Sequence, residues 1–185
     1  MIPHHGELRH SVVYDRHGEP IVERVQVPNP PDTPVTGSPS NALEPRVQHV
    51  MSNDLICASE DLEIAALVKL VVQNHIGCVP VVDRTGRAIG VVTKSDLVEH
   101  LDVLLSHEAR TERTRPTITR AKDIMMPLPF TLLESAGLAQ AAAMMVLEDV
   151  HHVLVVNSVG ILVGLVSSKD LVQWMVETDR LSGGR

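Results

Sequence analysis

Residues 51–98 can be laid over residues 125–172 without a gap, at a constant offset of 74 positions. Met51 falls on Met125, Glu60 on Glu134, Val81 on Val155, Gly86 on Gly160, Gly90 on Gly164 and Asp96 on Asp170. Register kept over that length means one supersecondary unit written twice, so the fold has to be worked out per unit.

Each copy has the same local order. A short extended piece (Leu55 to Ala58; Phe130 to Leu132) leads into a predicted helix (Asp61 to Asn74; Ser135 to Glu148), in which Leu62, Ala65, Ala66 and Leu70 recur near a 3.6-residue period. A β-branched run follows, "CVPVVD" or "HVLVVN", then a turn closed by glycine (Asp83 to Gly86; Asn157 to Gly160), then a second apolar run. These are two strands joined as a hairpin. Asp96 or Asp170 then opens a second helix, predicted from Ser95 to about Leu105 and from Lys169 to Val176. Nearly continuous apolar strands need both sheet faces covered, which one copy cannot do alone. The expected fold is therefore α+β (α/β-like), with two β-α-β-β-α repeats packed about an approximate twofold axis.

The core has to be aliphatic, because 44% of the 185 residues are hydrophobic and only 2% are aromatic. A net charge of -7 and a pI near 5.8 exclude a surface built to neutralise a phosphate backbone, so nucleic acid is not an expected partner. Cys57 and Cys78 make a poor disulfide framework, and the opening residues show no charged stretch followed by an apolar one; the expected setting is reduced and cytoplasmic. The longest apolar runs, such as "LAQAAAMMVL" from Leu138, are about half of a bilayer span, so no membrane is expected. There is no G-x-S-x-G elbow, P-loop or metal-ligand spacing, and the chain is not expected to be an enzyme.

The expected organisation is a flexible N-terminal segment over 1–46, a first repeat over 47–106, a connector over 107–120, a second repeat over 121–180 and a tail over 181–185. Eight of the twelve prolines lie in the first 46 residues, and "VPNPPDTPVTGSPSN" from Val27 reads as a linker. Before it, "SVVYDRHGEPIVERVQV" alternates apolar and polar residues around His17-Gly18, a short hairpin that is marginal unless it docks. His4, His5, His10 and His17 read as a polar tail, not a metal site. Arg110, Arg113, Arg115 and Arg120 read as a solvated connector.

Thr93 and Asp96, like Ser167 and Asp170, fall where a strand becomes a helix. The spacing fits a capping box. It also fits a ligand site, because a helix N-terminus attracts phosphate and an aspartate beside it can accept a ribose diol.

The unit, and most specifically "GCVPVVDRTGRAIGVVTKSDLV", resembles a cystathionine-β-synthase (CBS) domain, and the pair resembles a tandem CBS module from Val47 to about Met175. The resemblance implies a regulatory sensor that binds AMP, ADP, ATP or S-adenosylmethionine in clefts between the repeats and needs no other cofactor. It implies that Thr93 and Ser167 contact phosphate or ribose, with Lys94 and Ser168 beside them, and that Asp96 and Asp170 hold the ribose. It implies that the backbone around Ile56 and Cys57, and around Phe130 and Thr131, lines the adenine pocket with Gly77, Cys78 and Pro80, or with His151, His152 and Leu154. It further implies a homodimer formed through the helices (Leu97, Leu101, Leu104 and Leu105; Leu171, Trp174 and Met175) and an effector protein that reads the ligand state. Leu154 stands where the family usually has proline, Asn157 where it has aspartate and Cys57 where threonine is common, which makes a second reading, a structural dimerisation module with empty clefts, the alternative.

Overall fold

The computed structural model describes residues 11–14, 19–21, 45–108 and 119–182. The histidine-rich start, the proline-rich linker and most of the connector lie outside the described residues. In chain order the elements are strands β1 (Ser11–Tyr14) and β2 (Pro20–Ile21), a 3-10 turn (Val47–His49), β3 (Leu55–Ser59), α1 (Ile64–Gln73), β4 (Cys78–Val82), β5 (Ala88–Thr93) and α2 (Lys94–Glu108). The second half follows with α3 (Ala121–Ile124), β6 (Met126–Pro127), β7 (Thr131–Leu133), α4 (Leu138–Leu147), β8 (His152–Val156), β9 (Leu162–Ser167) and α5 (Ser168–Ser182). The strands form one sheet in the order β2-β1-β3-β4-β5-β6 and another in the order β7-β8-β9.

The hairpins close as the turn chemistry requires. Gly86 and Gly160 adopt φ +81° and +83°, a region that disfavours side chains. Asp83 Oδ1 accepts from Thr85 N and Arg87 N, and Asn157 Oδ1 accepts from Val159 N and Ile161 N. Replacing aspartate by asparagine therefore leaves the turn unchanged in kind, because the same side-chain oxygen does the work.

The two repeats interlock through their lead-in segments. Val47 and Met51, which open the first repeat, are buried in the core of the second with Leu132, Leu138, Met145, Val153 and Val166. Ala121, Ile124 and Met125, which open the second, pack into the core of the first with Leu62, Leu67, Val79 and Val92. A third cluster, Leu55, Cys57, Val82, Leu154 and Leu162, lies between the repeats. Burying one such aliphatic side chain stabilises by about 1.5–3 kcal/mol, so several exchanged residues bind the halves firmly.

This exchange also explains where the first helices begin. They start three residues later than predicted, at Ile64 and Leu138. In both copies the preceding residues are recruited by the other half: Ile64 N donates to Thr119 O at 3.0 Å and Ala121 N to Leu62 O at 2.8 Å, while Leu138 N donates to Pro45 O at 2.8 Å and Val47 N to Ala136 O at 2.9 Å. Neither helix has a side-chain cap. Main chain from the opposite repeat takes that place. Asp61, expected in the helix, instead accepts from Arg120 at 2.7 Å and Lys122 at 2.9 Å. The second helices run past their predicted ends, to Glu108 and Ser182.

The expected hairpin near Tyr14 forms, with Val13 opposite Ile21 and Tyr14 opposite Pro20. It docks: β1 runs parallel to β3, with Ser11 to Tyr14 beside Leu55 to Ala58.

Candidate ligand clefts

Thr93 and Ser167 are the last residues of β5 and β9, and α2 and α5 begin at the next residue. Asp96 Oδ2 accepts from Thr93 N at 2.7 Å and from Thr93 Oγ1 at 2.8 Å, and Asp96 N lies 3.4 Å from Thr93 Oγ1. Asp170 Oδ2 accepts from Ser167 N and Ser167 Oγ, each at 2.7 Å, with the return contact at 3.3 Å. Both are capping boxes. They engage one carboxylate oxygen, Oδ2, of each aspartate. The first helical amides are held by the hairpin entries, Lys94 N by Gly77 O at 3.2 Å and Ser168 N by His151 O at 3.0 Å.

Two clefts open beside these helix starts, and each is assembled crosswise. The first, about 390 Å³, takes Gly77, Val91, Thr93, Lys94, Ser95 and Asp96 from the first repeat, and Met126 with Asp149, Val150, His151 and His152 from the second. The second, about 210 Å³, takes Ser167, Asp170, Leu165 and His152 from the second repeat. Its other wall is Ser52, Asp54, Leu55, Ile56, Ile76, Gly77, Cys78 and Pro80 of the first. The larger cleft carries a cation, Lys94, against Asp96 and Asp149; the smaller carries Asp54 and Asp170.

Of the residues expected to bind ligand, Gly77, Thr93, Lys94, Asp96, His151 and His152 come together in the larger cleft. Ile56, Gly77, Cys78, Pro80, His152, Ser167 and Asp170 come together in the smaller. The other five line neither. Cys57 and Leu154 are 1% and 2% exposed and fill the cluster between the repeats. Leu154 is bulkier in reach than its counterpart Pro80 and points its apolar side chain into that cluster. Thr131 is exposed at the outer end of β7, Phe130 is half-buried with its carbonyl accepting from Leu154 N, and the Ser168 side chain is solvent-exposed. Sequence reasoning missed Val91, Ser95, Met126, Asp149 and Val150 in one cleft and Ser52, Asp54, Leu55, Ile76 and Leu165 in the other. The repeat itself carried a signal for them: Ser52 and Met126, Ile76 and Val150, and Val91 and Leu165 are equivalent positions 74 apart.

His152 and Gly77 belong to the walls of both clefts. Burial lowers the pKa of His152, the neighbouring His151 lowers it further, and Asp170 opposes both. Burial pushes the Cys57 and Cys78 thiols up to about 12. Among the described residues no group of histidine, cysteine, aspartate and glutamate side chains could hold a metal ion. Among them, too, no helix is long and apolar enough to cross a membrane.

Paired repeats with crosswise clefts at their strand-to-helix junctions define a tandem β-α-β-β-α repeat module. A family model for the CBS domain matches residues 47–103 and 121–177, and the chain belongs to that family as a tandem pair. It is similar to a CBS domain-containing protein of Dictyostelium discoideum, 28% identical over 134 residues that cover 71% of this chain and 91% of that protein. An uncharacterized protein of Methanocaldococcus jannaschii is 46% identical over 61 residues, 33% of this chain and 36% of the relative's length. Among solved structures, the CBS domain pair of protein MJ0100 in complex with 5'-methylthioadenosine and S-adenosyl-L-methionine superposes with a TM-score of 0.62 at 21% identity, over 73% of this chain and 98% of that one. CBSX2 in complex with AMP gives the same TM-score and identity over 72% of this chain and 98% of that one. At these identities the likeness is one of fold.

Proposed function

We propose that the chain is a non-catalytic sensor of adenosine-containing ligands, of the class AMP, ADP, ATP or S-adenosylmethionine, working in the cytoplasm. The observation that carries this reading is the crosswise build of the clefts. A ligand held by the helix start of one repeat and the strand entry of the other bridges both, so its binding favours one relative arrangement of the repeats. Its relatives' complexes with AMP, methylthioadenosine and S-adenosylmethionine fit the same chemistry. The larger cleft lies within the range of about 300–1,000 Å³ typical of ligand sites and offers phosphate both Lys94 and the N-terminus of α2. Asp96 would accept the ribose hydroxyls through the oxygen its cap leaves over. The smaller cleft falls below that range. The readout would be the helical exterior, where Leu138, Ala142, Leu171, Trp174 and Met175 line an apolar groove of about 320 Å³ suited to a second copy or an effector protein.

A thermal-shift panel of AMP, ADP, ATP and S-adenosylmethionine tests the proposal. A ligand at about 100 times its Kd adds roughly 2.7 kcal/mol of stability. The expected result is a shift with one or more ligands that Asp96→Ala abolishes; no shift with any overturns the reading. One observation favours the other reading, a structural dimerisation module. Both aspartates are already occupied in capping their helices. That module would dimerise without responding to any nucleotide.

A further inference from the structure

The two clefts are related by the internal repeat but are unequal, and the inequality coincides with one element that has no counterpart. β1 pairs in parallel with β3, Ser11 beside Leu55, Val12 beside Ile56, Val13 beside Cys57 and Tyr14 beside Ala58. The equivalent strand of the second repeat, β7, pairs with β8 and, among the described residues, with nothing on its other side. In a parallel ladder alternate residues direct their main-chain groups to opposite neighbours, so a strand bonded on one side only leaves half of them facing outward.

The docked strand is bonded and also packed. Val13 lies against the cluster of Leu55, Cys57, Val82, Leu154 and Leu162 between the repeats, and Tyr14 against the core of the first repeat. Leu55 and Ile56, its partners in the ladder, are wall residues of the smaller cleft. That cleft measures about 210 Å³, against about 390 Å³ for the other, beside which no counterpart of β1 is found among the described residues.

We propose that the N-terminal strand Ser11–Tyr14 decides which cleft takes ligand: by holding the outer edge of β3 it keeps the Ser167/Asp170 cleft too narrow for a nucleoside and leaves the Thr93/Asp96 cleft wide enough for one. Releasing it frees the outer edge of β3 and widens the second cleft. That cleft, with Asp54 and Asp170 in its wall, suits an adenosine compound carrying positive charge. This inference rests on the adenosine-ligand reading above.

The test is the stoichiometry of radiolabelled S-adenosylmethionine bound at saturation by the full chain. Val13→Asp places a carboxylate in the cluster between the repeats and so expels the strand; Tyr14→Ser loosens its other face; Val13→Ile is the control. Amide exchange across residues 11–14 and 55–58 reports release. The expected result is one equivalent for the wild type and Val13→Ile and two for each releasing variant, the second lost on adding Asp170→Ala. Unchanged stoichiometry in a released strand, or two equivalents in the wild type, overturns this inference alone. No uptake of S-adenosylmethionine, AMP or ATP by any of the proteins overturns the adenosine reading and this inference with it.

Discussion

The thioether of Met51 occupies the space that a side chain on Gly164 would need, and Met125 stands in the same relation to Gly90. A Cβ built on either glycine overlaps the sulfur of the opposite lead-in, and at Gly90 it also comes within 3.1 Å of the Met126 carbonyl oxygen. The glycine that opens "GVVT" and "GLVS" is therefore the seat on which the other repeat rests.

Gly90→Ala is expected to cost about 1–3 kcal/mol, the range for overpacking a filled core. Chemical denaturation of Gly90→Ala, Met125→Ala and the double variant checks this. Because the two side chains compete for one space, the double variant should lose less than the sum of the singles, a coupling of about 0.5–3 kcal/mol. Simple additivity would mean that the contact does not constrain the glycine.

Asp96→Ala, measured without ligand, is expected to lower stability by about 0.5–2 kcal/mol through loss of the capping box at the start of α2. Far-UV circular dichroism during urea unfolding reads this directly. A ligand response that vanishes in the same variant at ligand excess separates the proposed binding role of the carboxylate from its capping role.

The thiols of Cys57 and Cys78 are buried and pushed up to about 12, so they stay protonated at neutral pH. Iodoacetamide at pH 8 should label neither in the native protein and both after denaturation. Ionisation on unfolding begins near the ordinary thiol pKa of 9.0, below that of the folded state. The contribution of these thiols is thus fully present below pH 9.0 and declines as pH rises toward about 12. Rapid native labelling would contradict the burial.

His152 titrates below its ordinary 6.5 in the folded state, held down first by burial and then by His151, against Asp170. The unfolded chain therefore binds the proton first as acid is added. Stability from a neutral His152 is present above pH 6.5 and is lost as pH falls through the folded pKa. His152→Asn should flatten the acid limb of a melting-temperature profile below pH 6.5. An unaltered slope would place the acid sensitivity elsewhere.

The element order and the hairpin turns were legible because period, β-branching and a glycine of positive φ are local signals. The first helix starts were not, because Asp61 and Glu63 look helical by neighbourhood yet are claimed by Arg120, Lys122 and the main chain of the other lead-in, a contact 59 residues away in the case of Arg120. The site residues divide in the same way. Thr93, Asp96, Ser167 and Asp170 carry their own spacing, whereas the Leu154 side chain, expected at the adenine pocket, lies in the seam between the repeats. Which face of a strand meets the cleft depends on how the two sheets meet, and no run of residues within one repeat encodes that.

The exchanged lead-ins have a bearing on how such a chain could arise and be cut. A single unit on its own would expose the hollow that Val47 and Met51, or Ala121 and Met125, fill from outside, so it could be completed only by a second unit offering its own leading segment. Two separate one-unit chains could meet that demand by trading those segments reciprocally, and a gene duplication would then join partners that already fitted. By the same logic, proteolysis within residues 109–118 would nick the backbone without parting the molecule, since each fragment would still hold part of the other's interior.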